Sequence, residues 1–491
     1  MKRRPALVSV IVTPAVAAAG PFACAAAGAA RGEATHPSGY PTPTTKGAHW
    51  VTTWTAVPQP TEPTNMPPAP FTQGNRVFAD ATLRQTVRVS VGGRYTRIRL
   101  SNAFGGTDLP VTAASVAHPA DGKAGVSAVV PDSTRPVTFG GRAGIDIPKG
   151  AQAVSDPLDF KVRPGSNLTV TLYLADGQAS GSITSHPGSR TTSYMLSGDH
   201  LGDSDLPGAT PVDHWYFLSG VEAWSTRTTV AAVMLGDSLT DGRGSTTNGN
   251  DRWPDQLLDR LQSRSDTSGI AILNQAAGGN RVLHDGLGPN ALARLDRDVL
   301  AQSGVGWLLV FQGINDIPGG TSESSAKQVT ADLVNAYQQI ITRAHAQGIR
   351  VYGATLTPFG GNGYDDAAGL HESSRQAVNA WIRTSGRFDA VIDFDQAVRD
   401  PRNPRRLSPA YDIGDHLHLN PAGYRALADA VPTELFQWPP APPGFTWPSR
   451  QQRQGGGGRA GTDGVDGEPV GGVVRGGGPG QGGDDRFAGE E

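Results

Sequence analysis

Val233-Met234-Leu235-Gly236-Asp237-Ser238-Leu239-Thr240-Asp241-Gly242 joins an apolar run to a small polar turn. Residues 230–235 are almost all apolar, as in a strand buried on both faces of a parallel sheet. The run stops at Gly236-Asp237-Ser238. That places the serine just past the carboxyl end of a central strand, where open α/β sheets take their ligands. Alone the triplet says little, because small polar residues end many strands. A second copy, Gly202-Asp203-Ser204, has no apolar run before it and reads as loop.

Downstream of residue 228 apolar runs alternate with helical periods. Strands are expected at 230–235, 270–273, 307–311, 350–356 and 390–394. Pro254 opens a helix carrying Leu257, Leu258 and Leu261, and Asn290 begins another carrying Leu292, Leu295 and Val299. A third, over residues 324–347, puts Val329, Leu333, Tyr337, Ile340 and Ala344 on one face and stops at Gly348. The last has Asn420 as N-cap and Pro421 in its first turn, and buries Tyr424, Leu427 and Val431. Such alternation predicts a doubly wound α/β domain with a parallel sheet over residues 228–438.

Upstream, residues 50–225 follow period two. Val87, Val89 and Val91 alternate with Arg88 and Ser90, and Gly92-Gly93 reads as a two-residue hairpin turn. On the return strand Thr96, Ile98 and Leu100 share one face, with Arg97 and Arg99 on the other. Leu168, Val170, Leu172 and Leu174 repeat the pattern. Short strands between Gly, Pro and Asp turns predict an antiparallel β-sandwich of the jelly-roll kind. Two roles are open to it. It is a carbohydrate- or polymer-binding module whose contacts are Arg88, Arg97, Arg99 or nearby aromatics, or it is a structural partner packed on the second domain.

The 491 residues exceed one compact core, which agrees with two domains plus flanking segments. A formal net charge of −3 with 18% charged residues argues against a nucleic-acid partner, which would call for a basic surplus. Lys2-Arg3-Arg4, an apolar stretch over residues 6–19 and small residues at 25–30 predict a signal peptide over residues 1–30, hence a secreted protein. Pro14 and Gly20-Pro21 interrupt that stretch and leave it too short to span a membrane, so no stable membrane insertion is expected. The one cysteine, Cys24, lies within it, so the mature chain would carry no disulfide. Residues 31–49 have the Pro, Thr, Ser and Gly content of a linker. Residues 449–491 are Gly-rich without apolar periodicity and are expected to be disordered.

Four features fall at loop positions of the α/β domain. Ser238 is the first. Asn274-Gln275-Ala276-Ala277-Gly278-Gly279-Asn280 is a glycine-rich turn after the second strand, able to bring backbone N–H groups close to a ligand. Gly313-Ile314-Asn315-Asp316 after the third offers a side-chain amide, and Asp415-His416-Leu417-His418 precedes the last helix. Singly, each has a bland explanation as turn, cap or chance. Together they supply a nucleophile, a base, a carboxylate to orient it and oxyanion donors, the parts that serine acyl transfer needs.

In this combination and order the chain resembles the SGNH/GDSL hydrolase family over roughly residues 229–431, nearest to the arylesterase/acylhydrolase branch found beside xylanase genes, which carries an N-terminal β-sandwich. The resemblance implies a flavodoxin-like sheet, with Ser238 as nucleophile, His418 as general base and Asp415 as its orienting carboxylate. The backbone N–H groups of Ser238 and Gly279 and the Asn315 amide would form the oxyanion hole. Gly278 is the alternative to Gly279. His418 is preferred to His416 because Leu419-Asn420-Pro421-Ala422-Gly423-Tyr424 follows it at the family spacing.

The expected function is therefore a secreted carboxylic-ester hydrolase, acting on a small-molecule or polysaccharide ester, with neither cofactor nor metal required: no His-Glu-x-x-His spacing occurs. The same residues could pass the acyl group to a sugar hydroxyl. The loops at residues 243–251 and 360–366 are polar, which favours a short acyl group on a hydroxyl-rich carrier, with Tyr364 or Trp253 to stack on a sugar ring. The competing readings are a lipase or phospholipase for longer chains and a non-catalytic polymer-binding protein.

Overall fold

A computed structural model describes residues 47–437. The expected signal peptide with Cys24, nearly all of the linker and the Gly-rich tail lie outside the described residues.

The C-terminal half is built on five parallel strands: Val230–Gly236, Ile270–Ala276, Val305–Phe311, Arg350–Ala354 and Ala390–Ile392, first to fifth. Their spatial order is second, first, third, fourth, fifth, the flavodoxin-like order, which reverses direction at the first strand. Residues Ala231 to Leu235 are wholly buried, and each Val or Leu so covered contributes about 1.5–3 kcal/mol of hydrophobic stabilisation. The helices form two groups. Pro421–Ala430 contacts both Trp253–Gln262 and Phe394–Val398, and Glu323–Ala346 contacts both Ala291–Leu295 and Leu370–Thr384. Among the described residues no helix is long and apolar enough to cross a membrane.

Local signals set most helix starts. Pro254 lies in the first turn of its helix. Asn290 and Asn420 accept from Ala293 N and Gly423 N at their helix N-termini, and Ser322 forms a capping box with Ser325. The helix Leu370–Thr384 has no counterpart in the sequence reading. Its inward face is largely polar, with His371, Ser374, Arg375 and Asn379 beside Val378 and Ile382. Arg375 is fully buried there because Glu372 (2.8 Å) and Asp395 (2.7 Å) neutralise it. An apolar period cannot reveal a face held by ion pairs. The fifth strand ends at Ile392, short of the expected residue 394, because Asp393 turns the chain into the next helix by accepting from Gln396 N.

The N-terminal half is antiparallel. Ala48–Thr55, Leu218–Thr226, Gly93–Ser101 and Gln152–Val154 lie in one sheet, with Leu158–Val162 also pairing to Gly93–Ser101. Thr210–Val212, Ser193–Ser197, Ala81–Arg88, Asn167–Leu174, Ala113–Ala117 and Arg135–Val137 form the other large sheet. Leu83, Val87, Leu168, Val170 and Leu172 from one meet Ile98, Leu100, Val221 and Ala223 from the other in a single core. Gly202-Asp203-Ser204 is loop, its Asp203 carbonyl accepting from the buried Arg84 (2.7 Å).

The expected hairpin about Gly92-Gly93 does not form. Ala81–Arg88 and Gly93–Ser101 belong to different sheets. Residues 89–92 cross between them, held by Ser90 N donating to Thr53 O (2.8 Å) and Ser90 Oγ to Ile272 O (2.7 Å). The glycines serve close approach instead of a turn. A Cβ at Gly92 would stand 2.7 Å from Val162 O, and one at Gly93 would stand 2.7 Å from Trp224 O.

The three arginines named as contacts in the binding-module reading are also committed elsewhere, as the alternative of a structural partner implies. Arg97 and Arg99 both pair with Glu222, which is fully buried, and Arg97 also lies over the Trp50 ring at 4.2 Å. Arg99 reaches across to Ser303 (3.2 Å), and Arg88 pairs with Asp259 of the second half. Arg88 and Arg99 thus join the two halves of the molecule.

Candidate active site

Parallel register brings the loops together. Gly236 is paired with Ala276 on one side and with Phe311 on the other. The chain therefore leaves three adjacent strands at one level, putting Ser238, residues 277–280 and residues 312–316 along one edge. Ser238 starts the four-residue helix Ser238–Asp241, capped by Asp237, whose carboxylate accepts from Leu239 N (3.1 Å). Burial pushes the Asp237 carboxyl up to about 7, against the pull of that N–H. Gly236 lets this helix fold back on its own strand, since a Cβ there would stand 2.4 Å from Thr240 Oγ1.

His418 arrives from the loop before the last helix. Ser238 Oγ lies 2.8 Å from His418 Nε2, and His418 Nδ1 lies 2.6 Å from Asp415 Oδ2. Asp415 also accepts from the N–H groups of His418 (2.8 Å) and Leu417 (3.0 Å). Burial alone would raise the Asp415 carboxyl. The two N–H groups and the ring outweigh it and hold the carboxyl below its ordinary range. Burial lowers the His418 imidazole, and Arg243 and Arg190 add to this, while Asp415 opposes. The ring is thus neutral at neutral pH and can accept a proton from Ser238. His416 stands apart: it is exposed, has φ 62°, and pairs with Asp412 (2.6 Å).

Gly279 has φ 64°, a conformation that L side chains rarely adopt, and a Cβ there would press on Leu287. Gly278 has no such constraint. Among the described residues, the N–H groups of Ser238 and Gly279 donate to no protein acceptor. The Asn315 amide donates to Asn280 O (3.0 Å), and its oxygen accepts from the Tyr364 hydroxyl (2.7 Å), which fixes the orientation of the amide. Its second N–H is left for a ligand.

Supporting groups come in part from places that no motif marks, Arg294, Gln312 and Asn362 among them. Asn280 Oδ1 accepts from the fully buried Arg294 (3.0 Å) and from Gln312 (2.7 Å), while Asp316 accepts from Val282 N and Leu283 N (2.9 Å each). Asn362 donates to Asp415 O (2.7 Å). Trp253, expected to stack on a sugar, cannot do so. It is fully buried, donates to Thr240 Oγ1 and packs edge-on against Phe394. Tyr364 is half-buried and engaged with Asn315. Two of the few exposed large apolar residues rim the site: Leu287 beside Gly279, and Ile413 beside Gly244.

Residues 234–426 match the model of the GDSL-like lipase/acylhydrolase family. No curated protein matches the chain. Among solved structures, an acetylxylan esterase from Geobacillus stearothermophilus aligns at 20% identity over 41% of this chain and 92% of its own, with a TM-score of 0.31. A GDSL-like lipase from Bacteroides thetaiotaomicron aligns at 17% identity over 41% and 84%, TM-score 0.31. An acetyl xylan esterase, AlAXEase, aligns at 20% over 41% and 97%, TM-score 0.31.

Proposed function

With a GDSL-like lipase/acylhydrolase domain at residues 234–426 as premise, a family of carboxylic-ester hydrolases, we propose that this protein cleaves its ester through an acyl-enzyme on Ser238. The observation that carries the reading is the hydrogen-bonded series Ser238–His418–Asp415, set beside the free N–H groups of Ser238 and Gly279 and the oriented Asn315 amide. His418 takes the Ser238 proton as Oγ attacks the carbonyl carbon. Asp415 holds the ring in the Nδ1–H tautomer and stabilises the imidazolium. The Ser238 and Gly279 N–H groups and the Asn315 amide meet the charge that builds on the carbonyl oxygen. Collapse expels the alcohol, protonated by His418. A water, deprotonated by the same ring, then releases the acid.

Asn315→Ala is expected to lower kcat about 10²-fold or more with little change in KM, the usual loss for one oxyanion donor. Steady-state kinetics checks this; an unchanged kcat would reduce Asn315 to a loop-holding residue.

We also propose a short acyl group as substrate. Around Ser238 the loops are polar, and Leu287 and Ile413 give apolar surface for a few carbons and not for a long tail, which would need burial worth about 0.8 kcal/mol per CH₂. On p-nitrophenyl esters kcat/KM should be highest for acetyl to butyryl and fall beyond. A maximum at decanoyl or longer supports the lipase reading instead.

A further inference from the structure

The N-terminal half reaches into the nucleophile turn. His186, at the end of its strand Thr184–His186, points its Nε2 at Asp241 Oδ1 (2.9 Å), the last residue of the Ser238–Asp241 helix. Both side chains are buried, 4% and 2% exposed. On the other side of the ring Nδ1–H donates to the Val57 carbonyl (3.1 Å), which cannot itself donate, so this nitrogen carries a proton. The His186 ring stacks on Trp215, which fixes its plane. Gly188 follows, so close that a Cβ would stand 1.9 Å from Asp241 Oδ2.

Other contacts converge on the same turn. Thr55 Oγ1 donates to Asn274 O (3.1 Å), and the Asn274 amide donates to Thr240 O (2.8 Å). Beyond the turn, Asn248 N donates to Arg190 O (2.9 Å), and Thr192 N donates to Asn248 Oδ1 (2.8 Å). A helix of four residues has too few internal hydrogen bonds to hold its own shape. Its final carboxylate is held instead by His186 of the N-terminal half, and its Thr240 carbonyl by Asn274, whose own carbonyl Thr55 of that half holds.

We infer that His186 is a positioning residue for Ser238, acting through Asp241, and that the N-terminal half completes the active site instead of being a detachable binding module. This rests on Ser238 being the nucleophile. A turn released from His186 lets Oγ drift from His418 Nε2, and misplacement by about 1 Å can cost on the order of 10²-fold.

The test uses the full-length chain with His186→Ala, Asp241→Ala, the double variant and Arg88→Ala, which breaks a different contact between the halves. His186→Ala should lower kcat and the rate of fluorophosphonate labelling about ten- to hundredfold, with KM nearly constant. The double variant should be no worse than the poorer single, and Arg88→Ala should match wild type. The inference fails if His186→Ala keeps wild-type kcat and labelling, if the two losses multiply, or if Arg88→Ala shows the same loss. Should the alanine variants not fold, His186→Gln and Asp241→Asn complete the same cycle under the same criteria. An active Ser238→Ala would overturn the serine reading itself; an inactive one with His186→Ala unaffected overturns only the positioning role.

Discussion

Ser238→Ala is expected to abolish ester hydrolysis, a loss of roughly 10⁵- to 10⁶-fold in kcat, while leaving the protein folded. Without Oγ there is no atom to attack the carbonyl, and His418 has no proton to take. The oxyanion donors that remain can only assist water. The fold should not notice. The turn keeps its Asp237 cap on Leu239 N and its close at Gly242, whose N–H donates to Ser238 O (2.9 Å). What is lost is one hydrogen bond, worth about 1 kcal/mol, so the thermal midpoint should move by no more than about 4 °C. Hydrolysis of p-nitrophenyl acetate, fluorophosphonate labelling and a melting curve together decide it. More than trace turnover in a folded variant would place the nucleophile elsewhere. Ser204, exposed in its loop and with its carbonyl taken by Val129 N, would be the next residue to test.

The second large effect is expected at His418. Its replacement by alanine removes the group proposed to accept the Ser238 proton and return it to the leaving alcohol, so kcat should fall by roughly 10⁴-fold or more. His416→Ala should leave kcat near wild type, because that ring is exposed and tied to Asp412. The wild-type pH profile belongs to the same experiment. The base works only when neutral, and the His418 imidazole is lowered, so its neutral form persists to lower pH than for an ordinary histidine. The acid limb of kcat/KM should therefore have its midpoint below about 6.5. An acid limb clearly above that value, or the two alanine variants in reverse order of loss, would assign the base to the wrong histidine.

The two histidines show what can be read from residue order. Asp412-Ile413-Gly414-Asp415-His416-Leu417-His418 contains two Asp–His pairs, and both form: Asp412 with His416, Asp415 with His418. Nothing within those seven residues says which pair faces Ser238. The helix that follows does, because the Asn420 cap and Pro421 anchor the register of the loop before it. Helix caps and buried strands are legible for the same reason, whereas residue order left Gly278 beside Gly279, and the backbone conformation sets Gly279 apart. Each depends on residues a few positions apart, whose steric and hydrogen-bonding preferences act wherever the chain is placed.

Other features depend on which surfaces meet. Period two along residues 87–100 showed correctly that Ile98 and Leu100 face a core, yet it suggested a hairpin where the chain changes sheets, because Ser90 bonds to Thr53 and Ile272. Trp253 has the composition of a sugar platform and lies wholly inside, under Phe394. The helix at residues 370–384 hides its inward face behind Arg375, a charge that is tolerable there only because Glu372 and Asp395 reach it. The chain order alone determined the α/β domain, its caps and the four blocks proposed to carry the chemistry, since these are matters of local period and local bonding. Only the tertiary structure decided that His186 would stand against Asp241, 55 positions away, since a contact between two buried polar groups exists only once two folded surfaces have excluded water and left each the other's partner.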